Sequence, residues 1–504
     1  MNEGKICISV CADTVSEFTA KLGRAVEQAD FIEARFDCLT RDEFDPLNRG
    51  SADAVFGRIF GHESETPFIT TFRPSDQGGR REPSESEREH FWNSACRSAI
   101  VDLEEDIANH TWSWRWEKRI CSYHDFDGIP DDLDAIFDRL VNTGAEIVKL
   151  AVSVDDATDA VPVWHLIERA KSRGKEIVPI AMGEAGKWTR ILGLAYGAPI
   201  VYAALEEQGG TAPGQISARD LKDVFRVKEL DRESAVYGVI AGDTTYSLSP
   251  YMHNAAFRAS GLNSVFLPLQ VRSLDAFVRR VVNSETREVE LNFHGFSITN
   301  PHKRSIMDYL DEIDPTAKKI GAINTVNIEN GKLHGFNTDA EGFIGPLKRR
   351  LGDLKGSSAI VAGAGGAARA CVAALQLAGA DVTVMARDPK KLDALAEEFG
   401  VQAQSLNNRV TADVLINATP MGTRGETEDQ TLMTAEELGD VALVYDLVYN
   451  PQETRLIREA KAAGIATLGG IEMLIAQGAR QFEIWTGKRA PVEVMEEAVR
   501  RRLA

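Results

Sequence analysis

Lys149 sits in the apolar run Ile147-Val-Lys-Leu-Ala-Val152. An ammonium is costly to bury, so a lysine there is either paired or chemically used. A desolvated lysine gives up its proton easily and can attack a carbonyl to form a Schiff base. His124, in Ser122-Tyr-His-Asp-Phe126, is a candidate general acid and base. Arg35, Arg73 and Arg190 lie in the same half and are enough to hold a carboxylate. The second half carries different chemistry. In Ala359-Ile-Val-Ala-Gly363-Ala-Gly365-Gly366-Ala-Ala368-Arg369, a β run leads into glycines and then a helix. Gly363, Gly365 and Ala368 fit G-x-G-x-x-G/A, which lets the backbone approach a pyrophosphate at a helix N-terminus. The chain reads as two enzymes in tandem.

The elements that must position these groups can be read in order. Short β-rich runs recur at Lys5–Cys11, Phe31–Phe36, Pro67–Arg73, Ala99–Glu104, Arg119–Tyr123, Glu146–Val152, Glu176–Met182 and Pro199–Leu205. Helical patterns fill several gaps: Val15–Ala29, Ser84–Ser98, Asp131–Asn142 and Ala157–Ser172. Such alternation predicts a (β/α)8 barrel, with Asp106–Trp116 the short and irregular crossover. Chemistry gathers at the C-terminal ends of barrel strands, where Glu33, Arg35, Arg73, His124, Arg190 and Gln215 fall. A charged connector, Asp220–Ser234, leads into the second half. There a two-lobed α/β dehydrogenase with a C-terminal Rossmann-like lobe is expected. The predicted divisions are residues 1–228, 235–345 and 346–504, with the final helices from about 470 returning to the middle lobe.

Lys+Arg 57 against Asp+Glu 76 gives a net charge of −19, a poor general partner for nucleic acid or an anionic membrane. No run approaches the roughly 18 apolar residues of a membrane span. The 6 cysteines show no CxxC spacing and read as reduced thiols of a cytoplasmic protein. The 9 histidines form no metal-binding cluster, so no metal is expected.

Taken together, Glu33-Ala-Arg35, Thr71-Phe-Arg73 with Gly78-Gly79, Ser122-Tyr-His-Asp-Phe126, Val148-Lys149 and Thr211-Ala-Pro-Gly-Gln215 make the first half resemble type I 3-dehydroquinate dehydratase. The resemblance implies an imine between Lys149 and the substrate ketone, with His124 as general base and then acid. It implies that Arg190 clamps the carboxylate, while Glu33, Arg35, Arg73, Thr211 and Gln215 hold hydroxyls. One position departs: four residues after Arg73 the family usually has glutamate, and here stands Gln77, which cannot carry charge. Asp76 beside it is a possible substitute.

The second half resembles shikimate dehydrogenase through Ser247-Leu-Ser249-Pro250, Ser297-Ile-Thr299-Asn-Pro-His-Lys303, Gly321-Ala-Ile-Asn324-Thr325, Gly335-Phe-Asn337-Thr338-Asp339, the glycine turn and Gly470–Gln477. By that resemblance Lys303 and Asp339 are the catalytic pair. Ser247 and Ser249 hold the carboxylate; Thr299, Asn324 and Gln477 bind ring hydroxyls; Tyr449 closes the cleft. Gly363, Gly365, Gly366 and Ala367 hold the dinucleotide, and Thr419, Met421 and Gly470 line its nicotinamide side. At the end of the next strand, Arg387 suits the 2′-phosphate of NADP, whereas Asp388 confuses the signal. The two resemblances imply consecutive steps: 3-dehydroquinate to 3-dehydroshikimate, then to shikimate. Two rivals remain: a quinate dehydrogenase half, and a degenerate, non-catalytic barrel marked by Gln77.

Overall fold

The computed structural model describes residues 2–61, 66–95, 99–109, 116–207, 209–404 and 410–503. The chain divides into two compact units: Met1–Ser234 with Asp243–Thr245 and Leu267–Asn292, and Ala235–Gly242 with Tyr246–Phe266 and Phe293–Ala504.

The first unit is built on eight strands: β1 (Lys5–Val10), β2 (Phe31–Arg35), β3 (Phe68–Thr71), β4 (Ile100–Glu104), β5 (Lys118–Asp125), β6 (Ile147–Ser153), β7 (Glu176–Met182) and β8 (Ile200–Ala203). They pair in the order β7-β6-β5-β4-β3-β2-β1-β8, each pairing parallel, and form a near-closed barrel. Local chemistry starts the crossover helices. Thr14 caps Val15–Ala25, and Ser84 with Glu87 makes a reciprocal capping box before Glu85–Ser94. The fourth crossover is short, as its sequence suggested: a single turn, Glu105–Ala108, follows β4. The rest of that expected irregular stretch, residues 110–115, and the end of the Ser84–Ser98 helix lie outside the described residues. Apolar side chains fill the barrel, among them Cys7, Ile69, Ile120, Ile147, Val178, Ile180 and Ile200.

The cysteines differ from expectation. Cys11 and Cys38 form a disulfide, while Cys7, Cys121 and Cys371 are buried free thiols; Cys96 lies outside the described residues. Cys11 follows β1 and Cys38 follows β2, so neighbouring parallel strands bring together positions that share no sequence motif.

The chain after the barrel builds two sheets. Strands β9 (Ala235–Ala241), β10 (Ser264–Gln270), β11 (Phe293–Ile298), β12 (Glu312–Ile313), β13 (Thr325–Glu329) and β14 (Lys332–Phe336) pair in the order β10-β9-β11-β13-β14-β12. Asn330-Gly331 turns β13 into β14 with both φ angles positive, as a tight hairpin requires. Strands β15 (Ser358–Ala362), β16 (Asp381–Met385), β17 (Gln402–Gln404), β18 (Thr411–Asn417), β19 (Asp440–Asp446) and β20 (Ala466–Leu468) form a parallel sheet ordered β17-β16-β15-β18-β19-β20. That order reverses direction beside β15, the crevice where doubly wound folds bind dinucleotides. The last helices, Gly470–Thr486 and Val492–Leu503, share a core with Tyr237, Val239, Met252 and Phe257 of the first sheet's lobe. No helix among the described residues is long and apolar enough to cross a membrane.

Candidate active sites

Alternation along parallel strands sets the barrel site. Ser122 on β5 lies in register with Lys149 on β6, and His124 lies two residues further along the same face of β5. Lys149 is 4% exposed, and its Nζ donates to Asp102 Oδ2 at 2.8 Å, with Glu33 Oε1 at 3.7 Å. The Arg73 guanidinium binds Asp102 at 2.8 Å and Glu104 at 3.2 Å. It also donates to Ser122 Oγ at 2.7 Å and approaches His124 Nδ1 at 3.4 Å. Because a guanidinium only donates, the Nδ1 facing it accepts. Glu33 accepts from Ser9 Oγ (2.5 Å) and Thr71 Oγ1 (3.1 Å). The resting lysine is therefore not a bare amine in a hydrophobic slot; two carboxylates surround its head.

The electrostatics follow from burial and these neighbours. Burial, with the Arg73 and Lys149 charges, pushes the His124 imidazole well below its usual range, so it stays neutral. Burial opposes the Asp102 carboxylate, but Arg73 and Lys149 outweigh it and hold the group ionised. Burial raises Glu104 to about 7 despite Arg73 and Arg88.

Glu33, Arg35, Arg73, His124, Lys149, Arg190, Thr211 and Gln215 all line one cavity. Arg190, on the helix Lys187–Tyr196, is 3% exposed; its Nε and Nη1 have no hydrogen-bond partner, and burial lowers it to about 10. A buried guanidinium with unused donors is a site for a bidentate carboxylate. Arg35 is instead committed to Asp37 at 2.8 Å and to Gly78 O at 3.2 Å, so it orders the loop after β3. Gln215 Oε1 accepts from Thr211 N at 2.7 Å and shapes the last loop. That loop approaches so closely that a Cβ on Gly214 (φ +68°) would lie 2.2 Å from Gly183 O. Gln77 Oε1 accepts from the His124 backbone N–H at 2.9 Å, whereas Asp76 is exposed; the neighbouring acid does not replace the missing glutamate. Asp102, Glu104, Asp37 and Tyr202 were not singled out from the sequence. Asp102 had a usable signal: an acid inside Ile100-Val-Asp-Leu-Glu104 is as anomalous as the lysine in β6.

In the second unit Lys303 Nζ donates to Asp339 Oδ2 at 2.6 Å. Asn324, 2% exposed, donates from Nδ2 to Asp339 Oδ1 (2.8 Å), Thr338 Oγ1 (3.0 Å) and Gln477 Oε1 (3.4 Å). Its Oδ1 accepts from Thr338 N at 2.7 Å and Thr325 Oγ1 at 2.8 Å. Asn324 thus orients Asp339 from behind. One turn past Gln477, Gln481 donates to Ser297 Oγ (3.2 Å), Asn324 O (3.1 Å) and Thr325 Oγ1 (3.1 Å). Its i,i+4 spacing from Gln477 was a signal that went unused. Ser247 Oγ accepts from Ser249 N at 3.4 Å at the start of the helix Ser249–Ala259, and Thr299 N donates to Ile240 O at 3.0 Å. Tyr449 is half-buried.

The glycine turn fits a dinucleotide. Gly363 has φ +127°, and a Cβ there would lie 2.7 Å from Ala418 O. Gly365 precedes the helix Gly366–Leu377, whose first N–H groups, Ala367's among them, are available to a pyrophosphate. A Cβ on Gly366 would meet Lys303 Cδ at 3.0 Å, so the turn and the lysine pack directly together. A Cβ on Gly470 would lie 2.2 Å from Leu447 O. Thr419 donates to Asn417 Oδ1 at 2.7 Å and accepts from Met421 N at 3.2 Å, fixing the loop after β18. Arg387 is exposed just past β16. The confusing Asp388 is a helix cap: its Oδ1 accepts from Lys390 N at 3.0 Å and Lys391 N at 3.3 Å, turning the carboxylate to the start of Pro389–Phe399.

Comparison with known proteins agrees along the chain. The type I 3-dehydroquinase family matches residues 6–232. The shikimate dehydrogenase substrate binding domain matches 239–326, shikimate / quinate 5-dehydrogenase matches 347–447, and the shikimate 5′-dehydrogenase C-terminal domain matches 470–500. The Arabidopsis thaliana chloroplastic bifunctional 3-dehydroquinate dehydratase/shikimate dehydrogenase is 34% identical over 98% of this chain and 84% of its own length. The NADP(+) shikimate dehydrogenase of Methanopyrus kandleri is 42% identical over 54% of this chain and 96% of its own. A crystal structure of shikimate dehydrogenase in complex with NADP+ matches with a TM-score of 0.50, 38% identity, 55% of this chain and 98% of that one. With a buried lysine and a histidine lining one cavity in one unit and a lysine–aspartate pair beside a glycine turn in the other, the chain belongs to the bifunctional 3-dehydroquinate dehydratase/shikimate dehydrogenase family.

Proposed function

We propose that the barrel converts 3-dehydroquinate to 3-dehydroshikimate through an imine on Lys149, and that the second unit reduces that product to shikimate with NADPH. The observation that carries the first half is the single cavity holding Lys149, His124 and the two unused nitrogens of Arg190. Arg190 pairs with the substrate carboxylate and directs the ketone towards Lys149. Imine formation makes the adjacent C–H acidic. Neutral His124 takes that proton and returns it to the departing hydroxyl, so water leaves. Asp102 and Glu33 keep the lysine head in place between turnovers.

In the second unit NADPH, when bound, supplies a hydride to the ketone carbon. Lys303 gives the ketone oxygen its proton; Asp339, held by Asn324, orients the lysine and balances its charge. Ser247 and Ser249 hold the carboxylate at the start of their helix, with Thr299 and Gln477 on ring hydroxyls. Arg387 reads the 2′-phosphate of NADP, and Gly363, Gly365, Gly366 and Ala367 cradle the pyrophosphate. We further place the three domains at 1–228, 235–345 and 346–504.

The direct test supplies 3-dehydroquinate and NADPH together and follows cofactor oxidation. Oxidation should begin after a lag and should disappear in Lys149→Ala while added 3-dehydroshikimate still restores it. Oxidation that persists in Lys149→Ala would exclude the imine route.

A further inference from the structure

Asp102 and Glu33 cover the carboxylate side of the Lys149 head, and a different kind of group covers another side. Lys149 Nζ stands 3.9 Å from the ring centroid of Tyr202 on β8. Tyr202 is 3% exposed, lines the same cavity as Lys149, His124 and Arg190, and its hydroxyl makes no hydrogen bond. A tyrosine is buried with its hydroxyl unpartnered only at a cost, since that group normally finds an acceptor. The position is thus filled for its ring rather than for its oxygen.

We propose that Tyr202 is a catalytic residue of the barrel, its ring face stabilising the positive charge at Lys149 Nζ in both the ammonium and the protonated imine. The inference rests on the imine reading above. In the net step the lysine ammonium and the substrate ketone give the protonated imine and one water. The C–N bonds form, the C–O bonds of the ketone break, and two of the three ammonium protons leave with the ketone oxygen as that water. One positive charge stands at the nitrogen before and after, so the ring that faces the ammonium also faces the imine. The negative face of an aromatic ring attracts such a cation most where water is excluded. When His124 removes the neighbouring proton, the charge collapses into a neutral enamine, and it returns when the hydroxyl departs. Tyr202 therefore favours the two charged imines over the neutral imine and the neutral enamine, which borohydride does not reduce, and raises the share of bound substrate held as the reducible cation.

Three replacements at position 202 separate the ring's charge distribution from its bulk and from its hydroxyl. Each is incubated with 3-dehydroshikimate and borohydride, and the adduct on Lys149 is measured by mass spectrometry of the full chain. Tyr202→Phe should trap as the native protein does, because the hydroxyl it removes makes no bond. Tyr202→Leu should trap roughly tenfold less, the scale of one desolvated cation–π interaction. Site-specific pentafluorophenylalanine at 202 keeps the ring's shape but reverses its face, and should fall as far as leucine does. This second variant holds if leucine fails to fold. Native-level trapping in the fluorinated variant would overturn the role of the ring while leaving the imine intact. No adduct in the native protein would instead overturn the imine reading itself.

Discussion

Lys149 and Asp102, on β6 and β4 with β5 between them, are joined by a 2.8 Å hydrogen bond in the barrel interior. Asp102 also takes Arg73 at 2.8 Å, so one carboxylate bridges two buried cations. Removing one partner of a buried ionic network costs about 3–5 kcal/mol. Asp102→Ala should destabilise the barrel by that amount, read from urea denaturation followed by tryptophan fluorescence. Asp102→Asn keeps the shape, and should still cut dehydration at least roughly tenfold by misplacing a group whose position governs proximity. Native turnover in Asp102→Asn would remove the charge from the mechanism.

The pH dependence of dehydration follows from His124. The base form is neutral imidazole, and burial with Arg73 and Lys149 moves its protonation well below the ordinary value of 6.5, against Asp102. The working form therefore survives to lower pH, and the acid limb of kcat/KM should lie below pH 6.5. Gln77→Glu keeps the acceptor that now binds the His124 N–H and adds a negative charge nearby. A negative neighbour favours imidazolium, so this change should shift the acid limb upward. An unmoved limb would mean that the loop holds the new charge away from the ring.

In the dehydrogenase, Lys303→Ala and Asp339→Ala should each lower shikimate oxidation by about 10²–10⁴-fold, the worth of positioned proton transfer. Asn324→Ala should lower kcat too, because Asp339 Oδ1 loses its 2.8 Å donor. Barrel dehydration should be unchanged in all three. Turnover within twofold of native for any one of them would take that residue out of the chemistry.

Arg387 and Asp388 are neighbours with separable work. Arg387→Ala should raise the KM for NADP far more than that for NAD. Asp388→Ala should cost about 1 kcal/mol of stability as a lost helix cap, with little change in cofactor choice. Equal loss of both cofactors in Arg387→Ala would show that the arginine does not read the phosphate.

Much of this was legible in the sequence for definite reasons. A lysine inside Ile147–Val152 violates the rule that strand interiors are apolar, and the violation marks the site. The glycine turn was legible because its flanking β run and helix are local. What stayed hidden depended on registers between distant strands. Tyr202 reads as an ordinary core aromatic until β8 places its ring on Lys149. Cys11 and Cys38 look unrelated until β1 and β2 bring their Cα atoms to 5.4 Å. Asp388 could be sorted from Arg387 only by seeing which backbone N–H groups its oxygens take.

The missing side chain of Gly366 has a consequence for how this enzyme can change. Its Cα hydrogens lie where one methyl would press on the Lys303 stem, with 3.0 Å left to Cδ. A single glycine-turn substitution thus reaches Lys303, the proton donor of the proposed reduction. A side chain at 366 would require the Lys303 stem to give by a few tenths of an ångström. Arg387, exposed just past β16, can be exchanged without that adjustment.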